Sequence, residues 1–165
     1  MRRLIVCCMA LGLMRAADAQ AGMLYGSDIS GPSLVDISTS TGAATTVGPV
    51  GFSNVESLAF DSNTSTLYGV SRASTQLLTI NTTTGVGTVV GSVGTSAIAA
   101  LAFDPNANTL YGANFSTDQL LTINTSTAAV TTVGPLGFGA VFGLAFDPGT
   151  DTLYGVDAVT DQLLT

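Results

Sequence analysis

The sequence contains no histidine, no tryptophan and no lysine, and only 9% of its 165 residues are charged, against about 25% in a typical soluble domain. Without histidine, the chain lacks the side chain that ordinarily titrates near neutral pH, and it can form neither a Ser-His-Asp triad nor a histidine metal cluster. Both cysteines, Cys7 and Cys8, lie close to the N-terminus. The abundant Thr, Val, Leu and Gly favour short strands and tight turns over surface helices.

The first nineteen residues have the pattern of a secretory signal peptide. Two arginines at 2–3 precede an apolar run at 4–14, which is too short to cross a bilayer, and Ala-Asp-Ala at 17–19 supplies the small residues of a cleavage site. We therefore predict a signal peptide over 1–19 and a secreted chain, extracellular or periplasmic, beginning at Gln20. The alternative is a buried N-terminal helix.

Removal of the signal peptide would leave an acidic chain. Residues 20–165 contain one base, Arg72, and ten acids, a formal charge of −9. Such a surface repels nucleic acid phosphates and anionic lipids. We therefore predict no nucleic acid partner and no membrane span after signal removal, and expect an unknown protein or glycan as the partner.

A 43-residue repeat occupies the rest of the chain. Leu-Tyr-Gly occurs four times and Leu-Ala-Phe-Asp three times, always 43 residues apart, and 58–100 aligns without a gap to 101–143 at 22 of 43 positions. A fixed period of this length is typical of repeat architectures. The pattern divides a repeat domain at 20–165 into four units: 24–57 (partial), 58–100, 101–143 and 144–165 (partial).

Each complete unit predicts four short strands, named a to d. In the third unit they cover 100–103, 109–113, 119–124 and 130–133. Val, Ile, Leu, Thr, Tyr and Phe suit a pleated sheet, while Pro, Asn and Gly mark the turns. Four strands per unit predict an all-β fold of propeller type with four-stranded antiparallel blades. Helical stripes of a solenoid are missing after residue 20, and a β-helix needs a shorter repeat.

The run 101–112, followed by 119–124 and 132–134, resembles secreted bacterial propeller repeats. These are broadly similar to the YVTN and NHL propeller families and the quinoprotein-like superfamily. The resemblance covers essentially all of 24–165. It implies blades around a central channel with loops at either end that form any binding surface, and it leaves function open because the superfamily contains binders and enzymes.

The predicted strands do not close a ring. The first unit begins with strand b and the last ends within strand c at Thr165, which gives fourteen strands and about three and a half blades. An incomplete propeller exposes apolar blade faces. We expect the chain to be the N-terminal piece of a longer propeller. The alternative is a short protein that self-associates through its open blade ends.

Three a–b loops resemble metal sites. Oxygen-bearing side chains occupy positions 1, 3 and 5 of 61–65 and 104–108, and positions 1 and 5 of 147–151. Calcium takes such ligands, but the loops lack the further bidentate acid and the mid-loop glycine of a standard calcium loop. We interpret them as turns in which Asp and Asn bond their own backbone, and we predict no metal site and no cofactor.

Four tyrosines recur with the repeat, at positions 25, 68, 111 and 154. They could form a ring of hydroxyls or stacking faces, but their strict period before a glycine favours packing between blades. Leu67, Leu78, Phe103 and Leu110 are predicted core residues by the same reasoning.

The remaining charged residues give little sign of catalysis. Asp118, Asp157 and Asp161 are placed in b–c loops and Glu56 in a d–a loop. Paired carboxylates can act as acid and base, but these lie in different units, which favours solvation. Arg72 could bind an anion, although a single surface arginine is the simpler interpretation. We predict no catalytic residue.

Three functional hypotheses follow. The first is a non-enzymatic extracytoplasmic binding or scaffold module that holds a protein, glycan or surface component on its propeller loops. The second is the N-terminal part of a propeller enzyme whose catalytic residues lie in further blades. The third is a calcium-stabilised structural protein.

Overall fold

The computed structural model describes residues 4–5 and 23–165, with side chains described from Leu24 onward. Within these residues it contains fifteen strands and no helix. The strands are β1 (Leu4–Ile5), β2 (Met23–Asp28), β3 (Ser33–Ser38), β4 (Ala44–Pro49), β5 (Val55–Asp61), β6 (Thr66–Ser71), β7 (Gln76–Ile80), β8 (Gly87–Ser92), β9 (Ile98–Asp104), β10 (Thr109–Asn114), β11 (Gln119–Ile123), β12 (Val130–Pro135), β13 (Val141–Asp147), β14 (Thr152–Asp157) and β15 (Gln162–Leu164).

The strands form four antiparallel sheets in chain order. Blades 1, 2 and 3 are β1–β4, β5–β8 and β9–β12, and blade 4 is the three-stranded sheet β13–β15. Within each blade, strands that follow one another along the chain are paired. The predicted all-β fold with four-stranded repeated blades is confirmed, and the predicted strands of the third unit coincide with β9 to β12 within a few residues.

The first blade differs from the prediction at its N-terminal edge. The repeat pattern begins the first unit with strand b, whereas β1 pairs with β2 through Leu4 opposite Asp28 and Ile5 opposite Ser27. The pairing between β1 and β2 is made by backbone groups, which every residue carries. A repeat of side-chain types therefore does not predict it. Apart from these two residues, the predicted signal peptide at 1–19 lies outside the described residues.

The core lies between successive blades rather than at one centre. Leu58, Leu67 and Leu78 of blade 2 pack against Leu34 and Val50 of blade 1. Because side chains alternate between the two faces of a strand, the neighbouring positions of blade 2 point the other way. There, Tyr68, Val70 and Leu77 pack against blade 3, including Phe103 and Leu110. The predicted core positions 67, 78, 103 and 110 are all buried.

The glycine of Leu-Tyr-Gly is required by this packing. A Cβ built on Gly69 would lie 2.9 to 3.1 Å from side-chain carbons of Ile80, Val55 and Leu58. Such distances are too short for a contact between carbon atoms, and an added methyl group in a well-packed core is destabilising. The repeated glycine therefore lets the blades pack closely.

Ser57 is a buried hydroxyl that the repeat itself shows to be dispensable. Among the described side chains, its Oγ is the buried oxygen without a hydrogen-bond partner, and the equivalent positions hold Ala100 and Gly143. We expect Ser57→Ala to raise the free energy of unfolding by about 1 kcal/mol, because it removes an unpaired polar group. Denaturant unfolding measures this change. A lower stability of the variant would show that the hydroxyl has a partner, such as a bound water.

Candidate binding face

The antiparallel order of each blade places its loops at two opposite faces. The b–c and d–a loops share one face, which we call the b–c face, and the a–b and c–d turns share the opposite face. The loops of the b–c face are residues 29–32, 50–54, 72–75, 93–97, 115–118, 136–140 and 158–161.

The three loops that resembled metal sites are hydrogen-bonded turns on the opposite face. Asp61 Oδ1 accepts a hydrogen bond from the Asn63 amide at 2.8 Å, and Asp61 Oδ2 accepts one from the Thr64 hydroxyl at 2.6 Å. Asp104 accepts bonds from two amides of its own turn, at 2.8 and 3.0 Å. In the described part of the chain, no three His, Cys, Asp or Glu side chains lie together as a metal site would require. The carboxylates of Asp61 and Asp104 therefore accept hydrogen bonds within their own turns, as expected for plain turns.

Asparagines of these turns also join neighbouring blades. Asn63 Nδ2 donates to the carbonyl oxygen of Pro105 at 2.8 Å, and Asn106 Nδ2 donates to that of Pro148 at 3.1 Å. Asn106 Nδ2 also lies 3.0 Å from Asp151 Oδ1. The turn asparagines therefore act as links between blades.

All four periodic tyrosines were predicted to pack between blades, and ring contacts with the next blade confirm this for Tyr25 and Tyr68. The ring of Tyr25 lies 6.2 Å from that of Phe60, and the ring of Tyr68 lies 6.3 Å from that of Phe103. Both distances are in the range of favourable aromatic pairs. In each pair, a tyrosine of strand b contacts a phenylalanine of strand a in the following blade.

Two of the acids assigned to b–c loops lie there, and the third does not. Asp118 and Asp161 are exposed and adopt left-handed backbone angles, with φ near 55°. Asp157 is instead the last residue of β14 and only 1% exposed, so its predicted solvation is wrong. Its Oδ1 accepts from the Ala140 amide at 3.0 Å and its Oδ2 from the Thr160 amide at 2.8 Å.

Asp157 occupies a capping position that recurs in the repeat. Asn114, the equivalent residue of blade 3, accepts the Ser116 amide at 2.9 Å, and Ser71 of blade 2 accepts the Ser74 hydroxyl at 2.9 Å. The last side chain of strand b thus closes the b–c loop that follows it. Asp157 is therefore part of the scaffold rather than a catalytic acid.

The Thr160 hydroxyl, 2.6 Å from Asp157 Oδ2, and the Thr160 amide hold the pKa of Asp157 below its usual value of 3.8. The pKa of Asp157 is lower in the folded protein than in the unfolded chain. The resulting stabilisation is therefore complete at pH values above the unfolded pKa and is lost as the pH falls through the folded pKa. We expect Thr160→Val to raise the pKa of Asp157 and to reduce the loss of stability in acid. Carboxyl NMR titration and denaturation at several acidic pH values measure both effects. An unchanged Asp157 titration in the variant would contradict this assignment.

Arg72 and Glu56 are paired, which corrects both predictions. Glu56 is the second residue of β5 rather than part of a d–a loop, and its carboxylate forms an ion pair with the Arg72 guanidinium. Arg72 Nε also donates to the carbonyl oxygen of Ser96 at 2.7 Å, and the guanidinium lies 4.9 Å from the ring centroid of Phe115. Arg72 therefore connects blade 2 to blade 3 and is not an isolated surface arginine.

Two aromatic residues extend this arrangement into blade 4. The ring of Phe115 lies 5.6 Å from that of Phe142, with an angle of 47° between the planes, and Phe142 is 47% exposed. Glu56, Arg72, Phe115 and Phe142 form a continuous series on the b–c face, which we call the Arg72 row. Neither phenylalanine was predicted from the sequence to be functional.

The sequence does mark the Arg72 row, because the two complete units stop matching each other in this segment. None of residues 70–75 matches its equivalent in 113–118, whereas 76–84 differs from 119–127 at a single position. The first segment contains a b–c loop, and the second contains strand c and most of a c–d turn. The two complete units therefore diverge fully in this b–c loop and stay nearly uniform in the strand c that follows it.

The sequence matches a known family over most of its length. A family model described as a repeat of unknown function, DUF6923, matches residues 15–164. The chain belongs to the DUF6923 family. The DUF6923 match includes all four Leu-Tyr-Gly motifs and assigns no activity. No curated protein matches the chain.

Several solved structures share the fold of this DUF6923 protein. A chain of the nidogen/laminin complex aligns with a TM-score of 0.71 and 22% identity over 88% of this chain and 56% of its own length. A structural genomics protein of unknown function from Bacteroides thetaiotaomicron aligns with a TM-score of 0.61 and 20% identity, over 89% of this chain and 39% of its own length. The calcium-binding protein regucalcin from Agrobacterium tumefaciens aligns with a TM-score of 0.61 and 14% identity, over 84% of this chain and 52% of its own length.

These similarities establish a fold of propeller type, as predicted. Sequence identities of 22% or less support the fold alone. The DUF6923 chain spans about half the length of the solved structures it matches.

Within residues 4–5 and 23–165, the structure contains no helix that could serve as a membrane span.

Proposed function

We propose that this protein is a non-enzymatic binding module that holds a protein partner on its b–c face. The observation that carries the proposal is the Arg72 row, which lies where the repeats diverge and ends in the half-exposed Phe142. Arginine and aromatic residues are enriched in protein interfaces, and they dominate binding energy where they are clustered.

The contacts of four acids support binding over catalysis. Asp61 and Asp104 close turns, Asp157 caps a b–c loop, and Glu56 pairs with Arg72. A general acid or base needs a carboxyl that can reach a substrate, whereas these carboxyls are engaged in holding the blades. The neighbour from the nidogen/laminin complex comes from a protein–protein assembly, which is consistent with a protein partner for this fold.

The test is site-specific crosslinking in the organism that makes the protein. A photoreactive residue replaces Phe142 on the b–c face or, as the matched control, Val86, a half-exposed apolar residue of a c–d turn on the opposite face. We expect a discrete protein adduct from position 142, absent from position 86 and reduced by Arg72→Ala. Equal adducts from both positions, or an adduct with a glycan only, would contradict a protein partner on the b–c face.

Export is part of the same proposal and rests on the pattern of residues 1–19. We expect the protein recovered outside the cytoplasm to begin near Gln20, because signal peptidase cleaves after small residues such as Ala17 and Ala19. N-terminal sequencing or intact mass measurement decides the question. Recovery of exported protein that retains Met1 would contradict processing at this site.

A further inference from the structure

The c–d turns pack against the preceding blade at one recurring point. A Cβ built on Gly48 of β4 would lie 2.2 Å from the backbone oxygen of Thr84, in the c–d turn of blade 2. A Cβ built on Gly91 of β8 would lie 2.6 Å from the backbone oxygen of Thr127, in the c–d turn of blade 3. The fourth strands of blades 1 and 2 therefore have a glycine at the point where the turn of the next blade rests on them.

Gly134 is the equivalent glycine of β12, and its surroundings are open. A Cβ built on Gly134 meets no atom within 4 Å. Its neighbour Val133 is 57% exposed, whereas the equivalent Val47 and Val90 are partly buried against the interblade clusters. The surface that receives a turn in blades 1 and 2 is thus uncovered in blade 3.

A groove of about 530 Å³ lies at this point, between blades 3 and 4. Its lining includes Val133, Gly134, Leu136, Leu153 and Leu164. Leu164 belongs to β15, which among the described strands pairs with β14 alone, whereas β11 of blade 3 pairs on both sides. The groove therefore combines an apolar floor with a strand edge whose backbone groups are available for pairing.

We propose that this groove is a docking site for a c–d hairpin of the same repeat, supplied by a further repeat unit. The hairpin has a turn of the type Asn-Thr-x-Thr-Gly followed by a Thr- and Val-rich strand. The turn occupies the space above Gly134, as its counterparts do above Gly48 and Gly91, and the strand pairs with β15. The groove continues the two established interfaces, and this continuity identifies the chemistry of its occupant.

The first arm of the test uses a peptide with the sequence of residues 80–94, which contains the turn and fourth strand of blade 2. Calorimetry or NMR with a chain of residues 20–165 is expected to show saturable one-to-one binding. Gly134→Ala should weaken binding at least about tenfold, equivalent to about 1.4 kcal/mol, because the methyl group occupies the seat of the turn. The control Thr131→Ala changes an exposed residue of the same strand and should bind as the parent does.

The second arm joins the same sequence directly after Thr165. The extended chain should melt at a higher temperature than the parent, and Gly134→Ala should remove the gain. Failure of the free peptide to bind, together with an unchanged melting temperature of the extended chain, overturns the proposal. A dimer of the unextended chain that Gly134→Ala dissociates also overturns it, since a second copy would then fill the groove. None of these readouts depends on the b–c face.

Discussion

Replacing Leu77 with alanine is expected to lower the free energy of unfolding by about 2–5 kcal/mol, the range found for deletion of large buried side chains. Leu77 is fully buried in the cluster that joins blades 2 and 3. The truncation removes apolar contacts and leaves a cavity between blades that are held by neighbouring strands. Leu110→Ala, in the same cluster, should have an effect in the same range. Chemical denaturation followed by circular dichroism measures both.

The chain contains its own control for this prediction. Leu163 occupies the position of Leu77 two repeats later, in blade 4, where it is 68% exposed. Leu163→Ala should therefore change the stability of the monomer by no more than about 0.5 kcal/mol. Equal losses at the two positions would contradict the blade arrangement. A loss of stability in Leu163→Ala that grows with protein concentration would instead show that another copy of the chain covers this face of blade 4.

Gly91→Ala is expected to destabilise the fold by about 1–3 kcal/mol, as overpacking does in well-packed regions. The new methyl group would lie 2.6 Å from the backbone oxygen of Thr127, and a backbone atom within a turn cannot move aside as a flexible side chain can. The c–d turn of blade 3 must shift, which disturbs the contact between blades 2 and 3. Gly48→Ala meets the Thr84 oxygen at 2.2 Å and should have at least as large an effect.

Gly134→Ala is the matched control for these two changes, because the added methyl group meets no neighbouring atom. Alanine also restricts the unfolded chain more than glycine does, so stability should stay the same or rise slightly. Thermal unfolding of the three variants under identical conditions decides the comparison. A Gly91 variant as stable as the parent would show that the turn does not rest on this glycine.

The strands were predictable because their signals are local and repeated. In unit 101–143, apolar residues alternate over a few positions and Pro, Asn or Gly separates the runs, so β9 to β12 could be located from sequence. The turn role of Asp61 and Asp104 was equally accessible, since an aspartate that accepts amides two and three residues later acts within its own loop.

The long-range contacts of Asp157 and Arg72 were not predictable in the same way. Asp157 accepts an amide 17 residues away, and Arg72 pairs with a residue 16 positions earlier and contacts the ring of Phe115 in the next blade. These contacts depend on how loops from different strands meet, and no local pattern encodes that. Phe115 and Phe142 were not predictable for a further reason, because the equivalent positions of the other units hold different residues and a repeat pattern indicates only the residues that recur.

The links between blades occur at steps set by the repeat. Asn63 reaches Pro105 and Asn106 reaches Pro148, each 42 residues later, and the glycines at 48 and 91 each receive the turn of the next blade. A gene built this way can gain or lose one whole unit by recombination between its own copies. The new junction then joins surfaces that already fit each other, so blade number can change in evolution without the invention of a new interface.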